Sequence, residues 1–87
     1  MKQSDKIQVY PNPFHKWINI EINIKEGSVL LNIIDANGRI SKELINKKLN
    51  SGKHTIKYNA QHLQNGLYFV QLVNNKSKYS RTVIKQN

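Results

Sequence analysis

Side chains able to support acid, base, nucleophilic or metal chemistry are few in this 87-residue sequence. It has no cysteine, five carboxylates and three histidines, His15, His54 and His62. The histidines lack the spacing of a metal site, and five carboxylates are too few to favour a calcium site or an acid/base pair. There is no phosphate-binding glycine loop and no Gly-x-Ser-x-Gly motif. The sequence therefore predicts no enzyme, no cofactor and no metal, and it predicts each histidine at the surface.

Basic residues are the one abundant chemical group, and the formal net charge is +9. Residues 1–43 hold six Lys or Arg and five Asp or Glu, whereas residues 44–87 hold eight Lys or Arg and no acidic residue. Such a field attracts anionic partners such as nucleic acid, acidic glycan, lipopolysaccharide or an acidic protein groove. Each basic residue taken alone also fits a solvated strand face. The few aromatic residues do not alternate with the basic ones, so no specific nucleic-acid site is predicted.

Length and composition predict a single domain with a thin core. We expect a free energy of unfolding of about 5–10 kcal/mol, because no disulfide can supplement burial. Residues 1–6 are polar and are interpreted as the end of a linker or an added start, with the domain at residues 7–87. No stretch is apolar and long enough to span a membrane, and no secretory signal follows Met1. If the domain is exported, we expect the signal in another part of a larger protein.

The clearest strand pattern lies at residues 17–24, where four isoleucines alternate with polar residues. Alternation with a period of two places Ile18, Ile20 and Ile22 on one face of a half-buried antiparallel strand. Further strands are predicted at residues 7–10, 29–34, 39–45, 54–58 and 79–85, with 29–34 central, turns at 35–38 and 74–76, and a polar loop at 47–52.

Residues 63–73 join a turn signal to the most concentrated run of strand-forming residues and are predicted to form a central strand packed on both faces. Asn65 and Gly66 supply a sharp entry, and Tyr68 follows two residues later. This arrangement resembles the tyrosine corner of immunoglobulin-like sandwiches. The alternative is an ordinary hairpin turn before an amphipathic strand, although residues 59–63 are long and polar for a tight hairpin. Together the strands predict an all-β fold, a small immunoglobulin-like antiparallel β-sandwich of about seven strands.

Four features in a fixed order resemble one known family. They are residues 9–14 (VYPNPF), residues 33–38 (IIDANG), residues 63–70 (LQNGLYFV) and residues 83–86 (VIKQ). Physics alone explains residues 11–13 as a rigid turn. In this order, the four features are similar to the C-terminal sorting domain, type A, of proteins exported by the type IX secretion system. The resemblance covers nearly the whole domain.

The resemblance implies a targeting label and no catalytic activity. Proteins similar to this one pass through the periplasm and are recognised by the outer-membrane translocon and its shuttle proteins. A sortase-like peptidase then cleaves upstream of the domain, and the N-terminal cargo is secreted or attached to the cell surface. The rival hypothesis is an immunoglobulin-like accessory module that binds an anionic glycan or a surface protein.

Particular residues acquire roles from this resemblance. Family-pattern positions with a mainly structural duty are Pro11, Asn12, Pro13, Gly38, Gly66 and Tyr68. Candidate residues for translocon recognition are Arg81, Val83, Ile84 and Lys85. Family members often have Lys where this chain has Thr82, so Arg81 is the candidate for the basic group. Residues 85–87 are expected to project past the last strand, to bury little surface and to remain accessible.

Overall fold

A computed structural model describes residues 6–87, in which all regular structure is β-strand. The strands are β1 (Ile7–Tyr10), β2 (Trp17–Ile24), β3 (Gly27–Asp35), β4 (Ile40–Leu49), β5 (Gly52–Asn59), β6 (Gly66–Asn74) and β7 (Ser77–Lys85). Over this described part, no helix could cross a membrane. The interpretation of residues 1–6 as a linker end falls, except for Lys6, outside the described residues.

The strands form a three-stranded sheet of order β1-β2-β5 and a four-stranded sheet of order β4-β3-β6-β7, with antiparallel pairing throughout. The chain passes from β4 to β5 in the other sheet, and then back to β6 beside β3. Such crossings between two packed sheets are typical of immunoglobulin-like sandwiches. The predicted all-β antiparallel sandwich of about seven strands is confirmed.

The core lies between the two sheets and begins with the isoleucines of β2. Ile18, Ile20 and Ile22 are each 0% exposed, so the predicted inward face is confirmed. Leu31 and Ile33 of β3 face them from the four-stranded sheet and are equally buried. Only one face of each sheet is covered. For this reason apolar and polar side chains alternate with a period of two in β2.

The strand β6 lies between β3 and β7, so its central position is confirmed, as is that of β3. The expectation that β6 packs on both faces is wrong. Tyr68, Val70 and Leu72 are buried, whereas Phe69 and Val73 on the other face are only half-buried. No second layer covers the outer face of this sheet, and the apolar side chains there remain partly in water.

The polar loop predicted at residues 47–52 is also wrong, because β4 continues to Leu49 and β5 begins at Gly52. Lys47 and Lys48 pair with β3 in the antiparallel ladder. β4 is an edge strand, so its exposed positions tolerate charged side chains, and charge on an edge discourages pairing with other chains. This stretch is polar because its side chains are exposed, although its backbone forms a strand.

The turn between β3 and β4 is organised by the Asp35 side chain. Its Oδ1 accepts hydrogen bonds of 2.9 Å from the backbone N–H groups of Asn37 and Arg39. Gly38 has a φ of 86°, whereas Asn37 has no positive φ, so the glycine alone takes the left-handed conformation that the Asn-Gly pair indicated. At the other end, residues 75 and 76 connect β6 to β7, and Asn75 has a φ of 58°.

Candidate recognition end of the sandwich

The four sequence features that carry the family resemblance meet at one end of the sandwich, which we call the motif end. It comprises the loop at residues 11–14, the turn at residues 35–39, the corner at residues 60–66 and the end of β7 at residues 83–85. Strand register places them together: Asp35 pairs with Tyr68, Tyr68 pairs with Val83, and Gly66 pairs with Lys85. A parallel bridge also joins Phe14 to Lys85.

The tyrosine corner is present at the start of β6. The Tyr68 ring is 6% exposed, and its hydroxyl donates a 2.6 Å hydrogen bond to the carbonyl oxygen of Gln64. Burial raises the pKa of Tyr68, and the Asp35 carboxylate raises it further, so the hydroxyl stays a donor at neutral pH. Gly66 has a φ of 145°, which favours glycine at the entry. The corner interpretation is confirmed, and the hairpin alternative is wrong.

Tyr68→Phe is expected to lower the free energy of unfolding by about 1–3 kcal/mol, because it leaves the carbonyl of Gln64 without its buried donor. Urea denaturation of the two proteins measures this difference. Tyr58→Phe is the matched control, because the Tyr58 hydroxyl bonds the exposed ring of His62 at 3.1 Å and should matter less. Equal midpoints for wild type and Tyr68→Phe would contradict a stabilising corner.

The loop at residues 11–14 lies along the outer edge of β7 and binds it. The Asn12 amide donates to the carbonyl oxygen of Thr82 at 3.2 Å, and its Oδ1 accepts from the N–H of Ile84 at 3.0 Å. The Phe14 N–H donates to the carbonyl of Ile84 at 2.9 Å, and the Phe14 carbonyl accepts from Gln86 at 2.8 Å. The loop thus takes the place of a further strand at this edge.

This clamp gives the Pro-Asn-Pro sequence a role beyond that of a turn. Pro11 and Pro13 are exposed, both preceding peptide bonds are cis, and Asn12 is aimed at β7. Sequence reasoning missed the roles of Asn12 and Phe14, because their partners lie about 70 residues away and no spacing rule connects them.

The candidate recognition residues divide between the two faces of β7. Val83 and Lys85 point into the sandwich and are each 1% exposed, whereas Ile84 is 43% exposed. Arg81 pairs with Val70 and so leaves β7 on the same side as Val83 and Lys85, but it is exposed. The expectation that Lys85 projects from the domain is therefore wrong, because it is the last residue of the β7 ladder.

The position of Lys85 follows from its neighbours. Its backbone pairs with Gly66 and bridges to Phe14, and its stem lies in the core while Nζ donates to Asn87 Oδ1 at 2.9 Å. Gln86 and Asn87 are exposed, as expected. Long aliphatic stems of Lys commonly bury themselves in this way while the amine finds a polar partner.

The histidines do not form a reactive site. His15 and His62 are exposed, and His54 is half-buried with Nε2 2.9 Å from the carbonyl oxygen of Asn50. Among the described residues, no three His, Cys, Asp or Glu side chains are grouped so that they could hold a metal ion. What the motif end does offer is a rigid surface built from backbone clamps and exposed side chains.

β-Sandwiches of this kind often serve as recognition modules, but the fold is shared by proteins of many functions. The pattern of the secretion system C-terminal sorting domain matches residues 8–86. The chain belongs to this family, whose members are sorting signals for type IX secretion. No curated protein matches the sequence.

Family membership establishes the general function. The domain is a C-terminal sorting signal, which implies interaction with the type IX machinery, a cargo part on its N-terminal side, and export to the cell surface or the medium. The family is not an enzyme family. The accessory-module hypothesis is not favoured.

Proposed function

We propose that the motif end is the surface that the translocon and its shuttle proteins read after the domain has folded in the periplasm. Ile84 makes one contact, and Arg81, just before the motif end and on the opposite face of β7, makes a second, while the buried Val83 and Lys85 hold the strand in place. The observation that carries this proposal is the clamp of Asn12 and Phe14 on both backbone polar groups of Ile84. It joins the first family motif to the last and fixes one exposed side chain.

The direction of the chain supports the same proposal. β1 starts at Ile7, which pairs with Ile22, and runs towards the motif end, where Tyr10 pairs with Asn19. The carbonyl of Lys6 accepts a 2.9 Å hydrogen bond from Asn23, so the described chain begins at the opposite end of the sandwich. Cargo joined there would lie away from the recognition surface.

This arrangement also fits the later steps that the family resemblance implies. A sortase-like peptidase cleaves upstream of the domain, and the cargo is released or joined to anionic lipopolysaccharide. A linker that leaves the sandwich opposite the bound translocon stays accessible to such a peptidase. The basic second half of the chain speeds association with an acidic translocon or shuttle surface, because peripheral charges act mainly on the association rate.

The test is a fusion of an N-terminal signal, a fluorescent reporter and this chain, expressed in type IX-competent cells. We expect the reporter at the surface, where added protease removes it. The same fusion without residues 7–87, and the intact fusion in cells without the translocon, should stay in the periplasm. Periplasmic retention of the intact fusion in competent cells would contradict the proposal.

Arg81 is tested in the same fusion. Arg81→Gln is expected to slow the appearance of reporter at the surface a few-fold, because it removes an exposed charge beside the clamped segment. Lys76→Gln is the matched control, since Lys76 is exposed in the turn at the opposite end of β7. Equal export rates for the two variants would assign Arg81 no role in recognition.

A further inference from the structure

The outer face of the four-stranded sheet carries a row of apolar side chains at the motif end. Ile40 pairs with Ile34, and Ile34 pairs with Phe69. Leu67, two residues before Phe69 on the same face of β6, pairs with Ile84, so the apolar side chains come from all four strands. Residues paired in this way project on the same face of an antiparallel sheet. We call these five residues the outer patch.

Much of the outer patch is in water. Ile40, Leu67 and Ile84 are 59%, 41% and 43% exposed, and they account for three of the five large hydrophobic side chains that are exposed among the described residues. Ile34 and Phe69 between them are half-buried. Contiguous apolar surface of this kind, with polar surroundings, marks an interaction site more often than isolated exposed side chains do.

The next row of the same face is polar, so the outer patch has a boundary. Asn32 pairs with Glu43 and with Gln71, and Gln71 pairs with Ser80. The apolar pair Leu30 and Val73 lies beyond that row and is half-buried, so the exposed large apolar side chains of this face are those at the end where the family motifs meet.

The outer patch is also held rigidly at its β7 edge. The N–H and the carbonyl of Ile84 are both bonded by the loop at residues 11–14, at 3.0 and 2.9 Å. An exposed side chain on a fixed backbone loses little conformational freedom on binding, which favours its use as an anchor.

Charge distinguishes the possible occupants. A second copy of the chain would bring another +9 to the same surface, and that repulsion disfavours a dimer. A membrane surface is disfavoured because Trp17, the side chain best suited to a lipid interface, lies in the other sheet with Lys57 Nζ 4.8 Å from its ring centre. Nucleic acid and acidic glycan carry negative charge but little apolar surface, so the occupant that offers both to this patch is a protein of opposite charge.

We infer that the outer patch docks a protein whose apolar contact surface is bordered by carboxylates. The inference rests on the proposed function, since the partner is taken to be a component of the secretion machinery. Arg39 immediately precedes the patch residue Ile40, and its side chain is 78% exposed, 3.7 Å from Asp35. A carboxylate on the partner would find that guanidinium at the edge of the patch.

The apolar part of the inference is tested by Leu67→Thr combined with Ile84→Thr in the export fusion. Threonine keeps the strand preference and removes apolar contact. We expect at least about a tenfold loss of surface reporter, the change that corresponds to 1.4 kcal/mol of binding. The control is Trp17→Thr, which removes a 40% exposed side chain from the other sheet and should export normally. Ile40→Glu at the most exposed patch position removes apolar contact and repels carboxylates on the partner, so it should reduce export even if the double variant fails to fold.

The charge part is tested by a matched pair of reversals. Arg39 and Lys53 each lie at long distance from one carboxylate, 3.7 Å to Asp35 and 3.9 Å to Glu21, and both side chains are mostly exposed. Arg39→Glu should lower export several-fold, and Lys53→Glu, in the other sheet, should not. An equal effect of both would contradict an acidic border at the patch.

The alternatives have distinct results. If wild-type fusion is not exported, the proposed function fails. If wild type and the folded patch variants are exported equally, only the docking surface fails. Binding of the isolated chain to phosphatidylglycerol vesicles that the patch variants abolish would show a lipid occupant and overturn the inference. A wild-type dimer in sedimentation that the patch variants dissociate would also overturn the inference. Loss of export without vesicle binding and without a dimer supports the protein partner.

Discussion

Deletion of residues 85–87 is expected to lower the free energy of unfolding by about 3–4 kcal/mol. The side chain of Lys85 is 1% exposed and buries four methylene groups, each worth about 0.8 kcal/mol. The deletion also removes the Gly66 to Lys85 pair and the hydrogen bond from Gln86 to Phe14. Urea denaturation measures the loss, and unchanged stability would mean that the end of β7 is not part of the fold.

The size of this loss changes how an export defect of the truncated chain is interpreted. At the lower end of a total of about 5–10 kcal/mol, it leaves only about 1–2 kcal/mol, so several per cent of the chain would be unfolded and failed export would partly report misfolding. Lys85→Met is the cleaner variant, because it keeps the buried stem and removes only the ammonium group. We expect near-normal stability and export for Lys85→Met. A folded but trapped fusion would instead show that the machinery reads the Lys85 charge.

Phe14→Ala is expected to cost about 3–5 kcal/mol, the usual cost of removing a fully buried aromatic ring. Phe14 is 1% exposed, and its backbone bonds both Ile84 and Gln86. Loss of the ring therefore leaves a cavity beneath the loop that clamps β7. Thermal unfolding should show a large decrease in melting temperature.

The control for this prediction is Phe69→Ala, which makes the same chemical change on the half-buried outer face. It should cost clearly less than Phe14→Ala, because much of its ring is in water before the change. Equal losses would mean that Phe14 is not the anchor of the loop. Phe14→Leu, which refills most of the volume, should recover part of the stability.

The sequence alone determined the strands whose side chains alternate strictly. β1 and β2 were predicted with their observed ends, because Pro11 ends the first strand and the isoleucines of β2 leave one register for burial. The tyrosine corner was also predictable, since Gly66 and Tyr68 are local to one another. The family resemblance was readable for a similar reason, as it depends on short motifs and their order.

Tertiary structure decided whatever depends on contacts between distant residues. Nothing near Asn12 indicates that its amide binds Thr82 and Ile84, and nothing near Lys85 indicates that its backbone bridges to Phe14. Alternation alone could not say whether Ile84 or the pair of Val83 and Lys85 faces the core, because that requires the register of β7 on β6. Lys47 was predicted in a loop because its side chain is polar. It lies in an edge strand, which is stabilised by backbone pairing with its neighbour, and that pairing cannot be predicted from side-chain polarity.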